Sequence, residues 1–147
     1  MEQTADAASA QLPVSGSGVR SGSTSTASPD LSRRALGQFG ENLAAKHLES
    51  LGCQIVERNW RHSQGELDLV VLDANCLVFV EVKTRSSWAF GAPAEAVGRT
   101  KLARLRRLAG IYLQENHPQV DAVRIDVIAI TTGGPNRCLE HFKGVDR

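Results

Sequence analysis

Nothing in this chain is written for a bilayer, a disulfide scaffold or a zinc site. No apolar run approaches the roughly 20 residues that cross a membrane, and the first 30 residues contain no apolar core of the secretory type. The three cysteines, Cys53, Cys76 and Cys138, are odd in number and far apart, and no CxxC or Cys/His zinc spacing exists. A reducing, cytoplasmic setting is therefore expected, with Cys76 as a small thiol inside an apolar strand. Strong net charge is missing too. The whole chain is formally +1, so any nucleic-acid affinity must come from local patches and not from an overall basic field. There is no internal repeat.

What is present divides into a leader and one domain. Residues 1–30 are mostly Ser, Gly, Thr and Ala and hold almost no large apolar side chain. They cannot bury enough surface to offset ordering entropy, and a disordered tail is expected there. Without the tail, whose Glu2, Asp6 and Asp30 outweigh Arg20 by two, residues 31–147 carry +3. That length suits one sizeable core. Apolar residues recur at helical spacing over 32–51, with Gly52 placed to end the helix. A short strand is expected over 54–58, then a polar, aromatic loop over 59–65. A second helix runs from about 94 to 116, stopped by His117-Pro118. A last strand covers 123–130. The order α-β-β-β-α-β, with strands apolar on both faces, predicts an α/β fold whose mixed central sheet is flanked by helices.

The most informative residues are charges set in otherwise apolar strands. Residues 65–72 and 76–83 are rich in Val, Leu and Phe, and Asp73-Ala74-Asn75 separates them, so they read as a β-hairpin. With Ala74-Asn75 as the loop, positions summing to 149 face each other. Asp68 then faces Glu81, and Glu66 faces Lys83. Period-two alternation keeps these four on one face and puts Leu67, Leu69, Val71, Val78, Val80 and Val82 on the other. Like charges directly opposite one another destabilise a sheet. Two carboxylates about 5 Å apart at an effective dielectric near 20 repel by roughly 3 kcal/mol. Protonation, a bound cation or a nearby lysine head group would each relieve this.

Glu41, beside the apolar stripe of the first helix, is placed to lean over the same sheet face; the bland alternative is a solvated surface glutamate. Its neighbour Gly40 costs about 1 kcal/mol in a helix interior, which suggests close backbone approach. Carboxylate oxygens of this kind suit a hard cation such as Mg²⁺ or Mn²⁺. Lys83, two residues from Glu81, is placed to orient a water or neutralise charge developing on phosphorus. Arg58, Trp60 and Arg61 precede the hairpin and Arg85 and Trp88 follow it, while Lys101 and Arg104 lie within a basic run of five, with Arg99, Arg106 and Arg107, on the second helix. Basic residues interleaved with aromatics suit phosphate contact and base stacking. The bland reading of the run is a solvated helix face. His47 and His117 have no partner at ligand spacing and read as structural.

Gly40-Glu41 with Ala44-Ala45, Arg58-Asn59-Trp60-Arg61, Gly65-Glu66-Leu67-Asp68-Leu69-Val70, Val78-Phe79-Val80-Glu81-Val82-Lys83-Thr84-Arg85, Ala96-Val97 with Lys101, and Arg124-Ile125-Asp126-Val127 together resemble the YraN-like family. That bacterial group is related to the Holliday-junction-resolvase branch of restriction-endonuclease-like folds, and the resemblance spans about residues 33–131. It implies a PD-(D/E)xK nuclease core. Asp68 matches the metal-binding aspartate, Glu81 the second acidic ligand, Lys83 the motif lysine, and Glu41 the acid that this branch places on its first helix. Leu67 stands where the motif has its proline, a change that alters no ligand.

Two functions follow as expectations. One is an endonuclease or exonuclease using Mg²⁺ or Mn²⁺, acting on DNA, with branched or structured DNA as a candidate and RNA left open. The near two-fold symmetry of resolvase substrates makes a homodimer an option, on fold-level analogy alone. The other is a non-catalytic nucleic-acid-binding or adaptor module that retains the fold. No membrane partner is expected.

Overall fold

A computed structural model describes residues 10–11, 29–86, 97–133 and 137–146, the backbone alone at 10–11 and 29–31. The elements in chain order are β1 (Ala10–Gln11), α1 (Pro29–Ser50), β2 (Gln54–His62), β3 (Gly65–Asp73), β4 (Cys76–Arg85), α2 (Arg99–Asn116), β5 (Ala122–Thr131) and β6 (Cys138–Phe142). They form one mixed sheet in the order β1-β6-β5-β4-β3-β2. Only β4 and β5 run parallel, joined across α2; the other neighbours are antiparallel. The expected α-β-β-β-α-β core is therefore present, with β6 and the two-residue β1 added at one edge. The rest of the expected tail, 1–9 and 12–28, lies outside the described residues, as does the start expected for the second helix at 94.

Local chemistry explains the element ends. Gly52, at φ 87, sits just past α1; its N–H bonds Glu49 O (3.0 Å) and Cys53 N–H bonds Leu48 O (3.0 Å). This pair of bonds satisfies carbonyls that the last helical turn leaves over, and glycine takes the left-handed φ without a Cβ clash. His117, at φ 46, closes α2 through its N–H to Leu113 O, and Pro118 follows. The β3–β4 hairpin pairs Leu69 with Val80 and continues to Asp73 with Cys76, the register expected from a loop at Ala74-Asn75. β2 is longer than expected. It continues through Trp60, Arg61 and His62 and turns at Ser63-Gln64 into β3, because these residues pair with Leu67, Glu66 and Gly65.

Each helix covers one sheet face. Ala44, Ala45 and Leu48 of α1 pack on Leu69, Val71, Val78, Val80, Ile128, Ile130 and Leu139. Leu105, Leu108, Ala109 and Tyr112 of α2 pack on Val70, Leu77, Phe79 and Ile125. Leu67 departs from the expected alternation: it joins Trp60 on the α2 side and not Leu69 on the α1 side. The change falls between the Arg58–Leu69 and Trp60–Leu67 pairs, where Asn59 takes φ 52. A left-handed residue inside a strand interrupts the period of two.

A separate polar network is buried on the α1 side. Asp126, fully buried, accepts bonds from Arg124 (2.8 and 3.0 Å), His141 Nε2 (2.8 Å) and Gly144 N–H (3.0 Å). Arg124 also reaches Asp73 (3.2 Å), and His141 Nδ1 meets His47 Nε2 at 3.2 Å. His47 thus has a partner 94 residues away that no spacing in the sequence could reveal. The Arg124-Ile125-Asp126-Val127 segment serves architecture here, tying β5 to β3, β6 and α1.

Candidate metal and phosphate site

The crossing at Asn59 and Asp68 makes the site. The β3–β4 ladder ends at the Leu69–Val80 pair, and the next N–H, of Val82, bonds the Asp68 carboxylate at 2.9 Å. Asp68 and Glu81 are only 9% and 8% exposed, on strands that continue straight into the core. Above them lies α1. A Cβ at Gly40 would fall 1.8 Å from Thr84 Oγ1, so the helix reaches β4 only because residue 40 has no side chain. The close approach expected from that glycine is real, and it carries Glu41 to the acidic pair.

Glu41, Glu66, Asp68, Glu81, Lys83 and Thr84 line one open concavity of about 310 Å³, together with Arg33, Leu36, Gly37, Val82 and Lys101. Burial and the neighbouring Glu81 and Glu41 charges push the Asp68 carboxyl up to about 7, against the lowering effect of the Val82 N–H. Burial also raises Glu41, opposed by its hydrogen bond to Asn59 and by the Arg58 charge. These are the shifts expected where like charges share a desolvated site.

Lys101 is the main surprise. Its Nζ lies 2.6 Å from Glu81 Oε1, so it belongs to the acidic pair and not to an open phosphate-binding face. The parallel β4–α2–β5 crossover brings the first turn of α2 back over the end of β4; the sequence shows the crossover but not the distance. Among the described residues Lys83 lines the concavity without an ion pair, and Glu66 stands 3.9 Å from Arg61 instead of pairing with Lys83. Among the described residues, no three His, Cys, Asp or Glu side chains are arranged to hold a metal ion.

The remaining expected contacts are spread out. Arg58 and Arg61 are exposed on edge strand β2, with Arg58 donating to Asn42 Oδ1. Arg104 is exposed on α2. Arg85 ends β4, where its carbonyl accepts from the backbone and hydroxyl of Thr132. Trp60, expected to stack on bases, is 9% exposed, lies parallel to His62 (13°, centroids 5.7 Å apart) and meets Tyr112 edge to face (5.4 Å). Its faces serve the core, because the strand reversal at Asn59 turns it under α2. Trp88 lies outside the described residues. Arg33 and Thr84 were not singled out in the sequence; Arg33 sits on an exposed helical turn with no periodic mark.

A mixed sheet with an acidic crossing at one end, capped by two helices, defines an α/β domain with a restriction-endonuclease-like order of elements. A family described as "Uncharacterised protein family UPF0102" matches residues 40–130. A UPF0102 protein of Beutenbergia cavernae is 57% identical over 113 residues, covering 76% of this chain and 95% of that protein. One from Frankia casuarinae is 51% identical over 112 residues, covering 75% and 94%. This chain belongs to the UPF0102 family, the YraN-like group that its motifs resemble. Among solved structures, Pyrococcus furiosus SfsA in complex with Ca²⁺ aligns over 78% of this chain and 63% of its own length, at 16% identity and a TM-score of 0.28. Among the described residues, no helix is long and apolar enough to cross a membrane.

Proposed function

We propose that this protein is a divalent-metal-dependent nuclease that hydrolyses phosphodiester bonds in DNA, in a cytoplasmic setting. The observation that carries the reading is the buried Asp68–Glu81 pair. Two carboxyls crowd together in a nearly water-free place, and burial with the Glu81 charge pushes Asp68 up to about 7, the kind of perturbation found where acids gather to bind a cation. The donor set is all oxygen and suits Mg²⁺ or Mn²⁺, which typically take one or two carboxylates and keep several waters. Asp68 and Glu81 would be the ligands, with Glu41 as a third or through water. The ion, when bound, polarises the phosphate and lowers the pKa of a water. Lys83 lines the same concavity, where its ammonium would hold that water or offset charge on the phosphorus oxygens. Arg33, which lines the concavity, and Arg58, whose charge acts on Glu41, would be phosphate contacts.

One observation favours the non-catalytic reading: Lys101 already neutralises Glu81. A single experiment separates the two. Wild type, Asp68→Ala and Lys83→Ala are incubated with linear, nicked, flapped and four-way DNA, and with matched RNA, in Mg²⁺ or Mn²⁺. Wild type is expected to cut at least one DNA, with each variant slower by on the order of 10²–10³. Equal cutting by all three proteins, or no cutting by any, leaves the adaptor reading in possession.

A further inference from the structure

Two lysines line the acidic concavity, from different elements, and among the described residues only Lys101 is in an ion pair. Lys83 comes from β4 beside Glu81; Lys101 comes from the first turn of α2 and lies 2.6 Å from Glu81 Oε1. Their contact is short for an ammonium–carboxylate bond and mostly screened from water, with side-chain exposures of 29% and 10%. Charge-assisted bonds of this length are about twice as strong as neutral ones.

We infer that Lys101 is the counter-ion of the cation-free site, a positioning residue that holds Glu81 until a divalent ion takes its place. This rests on the metal-dependent reading above. Glu81 Oε1 cannot serve an ammonium and a metal ion at full strength together, so Lys101 must withdraw for Glu81 to act as a ligand. Its presence therefore sets metal affinity: it competes for the oxygen, and it reduces the repulsion between Asp68 and Glu81 that a cation would otherwise relieve. Removing the amine acts in one direction through both effects. Lys83 makes no such contact among the described residues, which separates the roles of the two lysines.

Calorimetric titration of Mn²⁺ into the full chain at pH 8 and fixed ionic strength tests this with wild type, Lys101→Met and Lys101→Gln. Both variants are expected to bind Mn²⁺ about 5- to 20-fold more tightly, roughly 1–2 kcal/mol. Binding by wild type with equal or weaker binding by the variants overturns the role of Lys101 and leaves the metal reading standing. No binding by any of the three overturns both. A second measurement needs no variant: acylation of wild-type Lys101, read by mass spectrometry against exposed Lys46 and Lys143. Reactivity is expected to rise several-fold from EDTA to Mn²⁺; an unchanged or lower value contradicts the release of Lys101.

Discussion

At the residue scale, the behaviour of Asp68 follows from where its proton goes. In the fold its carboxyl titrates near 7, against 3.8 for the ordinary group. The folded state thus binds the proton more tightly than the unfolded chain. This group's contribution to stability is full below about pH 4 and is lost as pH rises through about 7. Asp68→Asn removes the charge and keeps an oxygen for the Val82 N–H. In EDTA at pH 8 the variant is expected to be more stable than wild type by roughly 1–2 kcal/mol, a rise of several degrees in Tm. The gain should shrink towards pH 5, and scanning calorimetry at both pH values checks it. Metal affinity follows the same proton: Mn²⁺ binding is expected to strengthen up to about tenfold per unit below pH 7 and to level off above it. Calorimetry over pH 5.5–8.5 tests that slope.

At the element scale, the approach of α1 to β4 decides whether Glu41 reaches the acidic pair. Gly40→Ala forces a methyl group against Thr84. A loss of about 2 kcal/mol in urea unfolding is expected, as for other overpacked contacts. Thr84→Ala on the same chain should restore most of it; no recovery in the double variant would place the strain elsewhere. The glycine was legible in the sequence because it interrupts an otherwise good helix, and the hairpin register was legible because Asp73-Ala74-Asn75 leaves few ways to turn. Leu67 and Trp60 were not. Their faces depend on a left-handed Asn59, and no period of two or 3.6 contains such a break. β6 carries no such mark either: five residues, Cys138–Phe142, with Glu140 and His141 side by side, give little apolar signature of their own.

At the scale of the whole molecule, two clusters of charge do different work. The Asp126 network is saturated with donors and joins β3, β5, β6 and, through His141 and His47, α1. Burial alone would raise Asp126, but bonds from His141, Arg124 and the Gly144 N–H hold it below the usual carboxylate range. Burial, with His141 and Lys143, also lowers His47. Both groups therefore give stability that is present above their unfolded values and lost as pH falls through the folded ones. Asp126→Ala leaves Arg124 and His141 short of their buried partner and is expected to cost about 3–5 kcal/mol, read from the urea midpoint. The acidic concavity is the opposite case, with carboxylates crowded and one bound to an amine. The sequence revealed its acids because charge is conspicuous in an apolar strand. It hid Lys101, whose place depends on the α2 crossover and looked like one cation among five.

The most direct measurement is diffraction at the manganese absorption edge from crystals grown with Mn²⁺ at pH 8. The expected result is one anomalous peak bonded to Asp68 and Glu81 at about 2.0–2.6 Å, with the Lys101 amine moved off Glu81. Density showing Lys101 still seated on Glu81, with no manganese between the two carboxylates, would contradict the account.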